Sequence, residues 1–304
     1  MSKFLITGGA GFIGANTIKY FLSQGHEVVS FDNYTAGKKE ERFHSPAKYV
    51  EGDIRDIDAL NAVCAEGFDG IMHLAALPRV TYSVEHPRET HDTNITGTLN
   101  VLLAARDNNI EKVVFASSSS VYGNPDQFPV DENFVPKPIS PYALHKFTGE
   151  QYCRIFSELF GLKTVVFRYF NVFGPYFDPE GPYALVIGKF IKQVKNGEPM
   201  TICGDGEYYR DYAHAFDVAR ANLLALTNDA VGKGEIINIG SNNPFSVNEL
   251  AKLIGGEFIY VAERPGDVRK TYADISKAKE LLNWEPTISI EEGVAELKKE
   301  WGLV

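Results

Sequence analysis

Along the first 175 residues, short unbroken apolar runs alternate with longer segments whose apolar residues recur every three or four positions. The runs FLIT (4–7), EVVSFD (27–32), KYVEG (48–52), GIMHLAA (70–76), KVVFASSS (112–119) and LKTVVFRYF (162–170) are bounded by Gly, Pro and charge, and they predict buried strands. The periodic segments, from residue 12 to about 24 and over 57–65, 90–107 and 141–161, predict helices. Strand and helix in strict alternation imply crossover connections, and hence a doubly wound parallel α/β sheet. After Gly174-Pro175 the rhythm changes. A turn-rich stretch, YFDPEGPY, precedes helical patterns at 185–197, 217–227, 246–254 and 289–301, separated by short strands. The chain therefore reads as a domain over 1–175 and a smaller α+β lobe over 176–304, with some segments of the second returning to the first.

Two local patterns carry chemistry. The strand at 4–7 runs into Gly8, Gly9, Gly11 and Gly14 and then into a helix, the turn at which bare backbone amides can approach a pyrophosphate at a positive helix end. The second strand ends in Asp32, 18 residues after Gly14. A carboxylate there accepts from a ribose 2′-OH and repels a 2′-phosphate, which selects NAD over NADP. Further on, Tyr142 and Lys146 of YALHK stand four apart and share one helix face. A neighbouring ammonium favours phenolate and can bring the tyrosine pKa from ~10 toward neutrality, giving a proton shuttle for a sugar or alcohol hydroxyl.

Composition narrows the partners. At 304 residues, 44% hydrophobic and 23% charged, the chain can bury a large core. A formal charge of −10 without a basic cluster argues against nucleic acid and anionic membrane as partners. Cys64, Cys153 and Cys203 lack metal-ligand spacing and suggest a reducing compartment, with no disulfide framework and no metal site. A first strand at the very start leaves no room for a signal peptide, and no apolar run reaches membrane-spanning length, so a cytoplasmic location is expected.

Taken in order, TGGAGFIG, GDI (52–54), HLAA (73–76), SSSSVYG (117–123), YALHK, RYFNVFGP (168–175), YYRDYAH around Arg210 and RPGDV (264–268) resemble the extended short-chain dehydrogenase/reductases that act on nucleotide sugars. Within them the chain is similar to the UDP-hexose 4-epimerases, and the resemblance covers essentially its whole length. It implies a Rossmann domain that holds NAD through Gly8, Gly11, Phe12, Ile13 and Gly14 at the phosphate turn, with Asp32, Asn33 and Gly37 after the second strand. Asp53 would accept from the adenine amino group with Ile54 packed on the ring, while Leu74, Ala75 and Ala76 let the backbone pass close to the cofactor, with Thr93 and Ser117 as further cofactor contacts. Phe170 corresponds to a residue beside the nicotinamide, whereas His73 reads as a packed core histidine.

The resemblance assigns catalysis to Ser118, Tyr142 and Lys146. Tyr142 as phenolate would take the sugar 4-OH proton directly or through Ser118 while hydride passes to NAD, and the 4-keto sugar would turn over and take the hydride back on its other face. Ser119 is a further substrate contact. For the nucleotide diphosphate the candidates are Asn171, Arg210 and Arg264, with Asp267 on the ribose and the backbone of Thr201 to Cys203 on uracil. Family dehydratases carry Asp-Glu after the hydroxyl residue and decarboxylases a Glu just before the valine. This chain has Ser119 and Ser120 there, so no acid is at hand to drive elimination. Seven residues after Arg264, where galactose-restricted epimerases carry Tyr, stands Thr271. A small residue there leaves room for a 2-N-acetyl group unless a neighbour such as Tyr272 refills it. His145, where small residues are frequent, is expected to act behind the site. The alternatives are a UDP-glucuronate 4-epimerase, another nucleotide-sugar enzyme of this type, or a non-catalytic nucleotide-sugar or NAD sensor. A homodimer through the helices containing Asn100 and Tyr152 is what the family implies.

Overall fold

The computed structural model describes residues 1–177, 186–263 and 268–303. Its strands are β1 Lys3–Thr7, β2 Glu27–Asp32, β3 Lys48–Glu51, β4 Gly70–His73, β5 Lys112–Ser118, β6 Lys163–Tyr169, β7 Met200–Cys203, β8 Tyr209–Asp211, β9 Lys233–Ile239, β10 Pro244–Ser246 and β11 Phe258–Val261. Seven of them form one parallel sheet in the order β3-β2-β1-β4-β5-β6-β9. The chain winds outward from β1 to β3, then returns to the other side of β1 at β4, the doubly wound Rossmann topology with its crevice at the β1/β4 reversal.

Alternation along the strands divides the core. Phe4 and Ile6 join one cluster with Ile18, Met72, Val114 and Val218, while Leu5 faces the opposite layer with Ile71, Val113 and Val101. β9, which follows the lobe boundary in sequence, lies in the main sheet beside β6, and the Ala215–Thr227 helix packs on the same face as the Phe12–Ser23 helix. A third cluster, with Phe190, Met200, Ile202, Leu250 and Val294, fills the C-terminal lobe beside the pairs β7-β11 and β8-β10.

The long helix Pro141–Phe160 is defined by its ends. The Ser140 hydroxyl accepts from the Ala143 amide, Pro141 occupies the first turn, and Gly161 closes the helix at φ +70°. The helix expected over 90–107 is present and carries a π segment. A five-residue π turn, Asp92–Thr96, separates Pro87–His91 from Gly97–Asp107. Within that turn Asn94 clamps both backbone groups of Leu77, accepting from its N–H at 2.8 Å and donating to its C=O at 3.0 Å. The same clamp lies just beyond β4, which ends at His73 and not at residue 76. Among the described residues, no helix is long and apolar enough to cross a membrane.

Candidate active site

A cleft of about 970 Å³ opens beyond the C-terminal ends of β1, β4 and β5. Its first half is made of backbone. Gly8 sits at φ +74°, and a Cβ there would lie 2.7 Å from the Ala75 nitrogen; one at Gly14 would lie 2.2 Å from the Gly8 oxygen. Strand, turn and helix therefore meet only because side chains are missing. Asp32 is held by amide donors, from Ala10 at 3.0 Å and Tyr34 at 2.7 Å. Burial pushes its carboxyl pKa up, with those two amides and Arg42 opposing the rise. Phe12, Ile13, Asn33, Ile54, Leu74, Ala75, Ala76 and Thr93 line the same half. A glycine cradle with no room for Cβ and an acid fixed at the end of β2 fit a dinucleotide without a 2′-phosphate.

The second half carries the reactive groups. Ser117 and Ser118 close β5, and the Pro141–Phe160 helix brings Tyr142 and Lys146 to the same cleft wall. The Ser83 hydroxyl accepts from the Tyr142 amide at 3.0 Å, tying the Pro141–Phe160 helix to the short Val80–Glu85 helix. Lys146 donates to the Ala116 carbonyl at 2.7 Å, and its Nζ lies 6.0 Å from the Tyr142 ring centre.

Burial pushes the Tyr142 phenol up to about 12, with a hydrogen bond to Ser118 opposing the rise. Burial likewise pulls Lys146 down to about 8, while Cys153 and Glu150 act to raise it. Burial disfavours the charged form of both groups, and the Lys146 ammonium is anchored on the Ala116 carbonyl.

The remaining candidates divide. Ser119, Asn171, Arg210 and Thr271 line the cleft. The Asn171 amide donates to the Asp211 carbonyl at 2.9 Å and to the Thr271 hydroxyl at 3.0 Å, and that hydroxyl also accepts from the Asp211 amide at 3.2 Å. Phe170 does not line the cleft. Its ring is enclosed with Val121, Tyr122, Val130 and Ala273, and Tyr169, one residue earlier on the opposite side of the chain, reaches the cleft in its place. Thr201 and Cys203 lie on β7 outside the cleft lining; the Thr201 amide is already engaged by the Gln193 side chain, and β7 pairs with β11. Gly37, at φ +85° in an open turn, is likewise off the wall, where Thr35 and Ala36 stand. Asp53 is also off it, paired with Arg55 at 2.7 Å and bonded by Asn33 at 2.8 Å, so that its carboxyl sits at about 2. Arg264 and Asp267 lie outside the described residues.

His73 bridges the hydroxyls of Thr7 at 2.7 Å and Thr98 at 3.0 Å, and burial pulls it down to about 3, so it is a neutral core group. His145 packs edge-on to His91 at 5.8 Å and is pulled by burial to about 4. Sequence reasoning missed Arg42, Arg79 and Tyr169, which line the cleft, and the buried Glu150–Arg168 pair behind it. Only Glu150 carried a legible signal, four residues after Lys146 on the same helix face.

A parallel doubly wound sheet with a glycine cradle and a Ser-Tyr-Lys cluster in one cleft defines a dinucleotide-binding enzyme fold of the short-chain dehydrogenase/reductase type. Residues 4–240 match the NAD dependent epimerase/dehydratase family, and the chain belongs to that family. Among solved structures it is similar to UDP-glucose 4-epimerase with UDP-glucose from Thermotoga maritima, at TM-score 0.93 and 39% identity over 99% of this chain and 98% of that one. It is also similar to UDP-N-acetylglucosamine 4-epimerase from Methanobrevibacter ruminantium in complex with UDP-N-acetylmuramic acid, at TM-score 0.92 and 36% identity over 99% and 98%. A UDP-glucuronate 4-epimerase of Thermodesulfobacterium geofontis is 38% identical over 97% of this chain and 94% of its own length.

Proposed function

We propose that the chain is an NAD-dependent UDP-hexose 4-epimerase. The observation that carries this reading is that Ser118, Tyr142 and Lys146 share one cleft with the Gly8–Gly14 cradle and Asp32. Bound NAD supplies a hydride acceptor and donor for the sugar C4. The chain's own groups handle the proton and the grip. Tyr142, as phenolate, takes the proton of the sugar 4-OH directly or through Ser118 and returns it to the 4-oxygen on reduction, and Lys146 supports the phenolate form. Both directions require the same pair, since the proton taken on oxidation is returned on reduction.

Turning a 4-keto sugar over demands a firm hold on the nucleotide diphosphate and a loose one on the ring. Arg210 and Asn171 on the cleft wall, with Arg264 and Asp267, are the residues we assign to the grip. Thr271, half-buried and bonded to Asn171, leaves the sugar end open to an N-acetyl group, so UDP-GlcNAc and UDP-GalNAc join UDP-Glc and UDP-Gal as candidate substrates. The division into a cofactor lobe (1–175) and a sugar lobe (176–304, with β9 crossing back) belongs to this reading, as does a cytoplasmic setting. So does a homodimer through the long helices. Leu144 (50% exposed) and Leu159 (72%), both on Pro141–Phe160, offer apolar surface that pairing would cover.

A chromatographic or NMR product assay with UDP-Gal, UDP-GalNAc and UDP-galacturonate in parallel tests the reading. Each accepted sugar should reach its C4 isomer without net NADH. Tyr142→Phe should cut turnover ~10³-fold while calorimetric UDP affinity stays within about twofold. Turnover that survives the substitution refutes the assignment of Tyr142.

A further inference from the structure

Behind the reactive pair, on the side away from the cleft, sits a charge that the mechanism has not used. Tyr142, Lys146 and Glu150 occupy successive turns of one face of the Pro141–Phe160 helix. The Glu150 side chain is 0% exposed and its partner Arg168, on β6, is 1% exposed. Arg168 binds the carboxylate with two arms, at 2.9 Å and 2.7 Å, and the Ser117 hydroxyl donates to it at 2.5 Å. The guanidinium lies 4.6 Å from the centre of the Tyr122 ring, and the Tyr122 hydroxyl in turn donates to Asn238 on β9 at 2.7 Å.

One carboxylate thus joins the catalytic helix, the end of β5 next to Ser118, and β6. A fully buried ion pair is poor value as stabilisation alone, because desolvating two charges cancels most of their attraction. Its position suggests another reason for its presence. We propose that Glu150 is a positioning residue for the reaction, a buried counter-charge that holds the Lys146 ammonium and the Ser117–Ser118 strand end from the turn behind them. The proposal rests on the roles given above to Tyr142 and Lys146.

The surroundings of Lys146 make Glu150 the one carboxylate among its described electrostatic partners. On its own helix Lys146 meets the Tyr142 ring, the Cys153 thiol and Glu150, with neutral His145 beside it. From β5 come the Ala116 carbonyl and the Phe115 ring, at 4.9 Å, and from β4 comes neutral His73. Arg168, from β6, reaches this group through Glu150. Losing the Glu150 charge while Arg168 keeps its own would leave Lys146 facing an uncompensated cation, and it would shed its proton at lower pH.

Glu150→Gln keeps the shape and removes the charge, retaining the bonds to one side-chain oxygen while its NH2 faces the second Arg168 N–H donor. Trace acetylation of the full-length protein across pH, with peptide mass spectrometry on Lys146, reads the lysine directly and needs no turnover. The wild type should show a midpoint at about 8, and E150Q one lower by ~1–2 pH units. The alkaline limb of kcat/KM should move with it. If E150Q fails to fold because Arg168 is left unpaired, the double variant Glu150→Gln/Arg168→Gln, two neutral amides that still bond each other, decides in its place. Its midpoint should also fall below the wild-type value. An unchanged labelling midpoint in whichever variant folds overturns the proposal, whatever reaction the protein catalyses. A shifted midpoint in a protein that epimerises nothing would instead leave the electrostatic role standing and sink the functional reading.

Discussion

The two halves of the cleft are built by opposite means. The cofactor half is backbone: Gly8, Gly14 and the strand ends around Ala75 leave no space for even a methyl group. The half we assign to the sugar is side chain, assembled from Ser118 on β5, Asn171 after β6, Arg210 on β8 and Thr271. A backbone cradle reads one invariant object, a pyrophosphate, and gains from rigidity. A wall of separate side chains can be retuned one residue at a time. Specificity should therefore be fixed in the first half and adjustable in the second.

That contrast can be broken experimentally, and the largest effect lies in the cradle. Gly14→Ala puts a methyl 2.2 Å from the Gly8 carbonyl oxygen, a clash between backbone atoms that only a shift of the turn relieves. With overpacking of ~2 kcal/mol, NAD affinity measured by calorimetry should fall ~30-fold or more, and the thermal midpoint should drop by several degrees. Wild-type affinity in this variant would refute a rigid cradle.

Thr271→Tyr should do less and do it selectively. It fills the sugar end while leaving NAD in place, so the ratio of kcat/KM for UDP-GalNAc over UDP-Gal should fall ~10-fold with NAD affinity unchanged. A loss shared equally by both sugars would mean that Thr271 acts through Asn171 and not through space.

The smallest effect concerns the ground beneath both halves. His73 has a folded pKa of about 3 against an ordinary 6.5. Between those values the unfolded chain binds more protons, so stability rises with pH through this window and is lost as pH falls through it. His73→Asn should flatten the slope of urea-unfolding free energy over pH 4–6.5. An unaltered slope would assign acid sensitivity to other groups, His145 first among them, since burial pulls it to about 4.

Much of the sheet was legible because its strands are buried on both faces and so appear as unbroken apolar runs; EVVSFD is β2 to the residue. GIMHLAA overran by three because Leu74 to Ala76 are apolar for closeness to the Gly8 turn and not for pairing in the ladder. The π turn at Asp92–Thr96 was invisible, since nothing in the local periodicity marks it; within it Asn94 clamps Leu77, 17 residues away in the chain. At the site, glycines and the Tyr142–Lys146 spacing speak through local geometry and could be read. The position of Phe170 could not, because one residue decides which side of the chain faces the cleft. The burial of Tyr142 was hidden for a different reason: charge proximity is written in the sequence, whereas the depth of burial is a property of the assembled fold.

The place of β9 has a further consequence. Residues 233–239 cover the outer edge of β6, the strand that presents Arg168 to Glu150. During synthesis that edge must wait, its amides and carbonyls bare, until more than 60 further residues have emerged, so the Rossmann half cannot mature ahead of the lobe that follows it. A ribosome stalled near Pro175 would hold six of the seven strands with the β6 edge bare, and severing the gene there should yield fragments that aggregate, not two working modules.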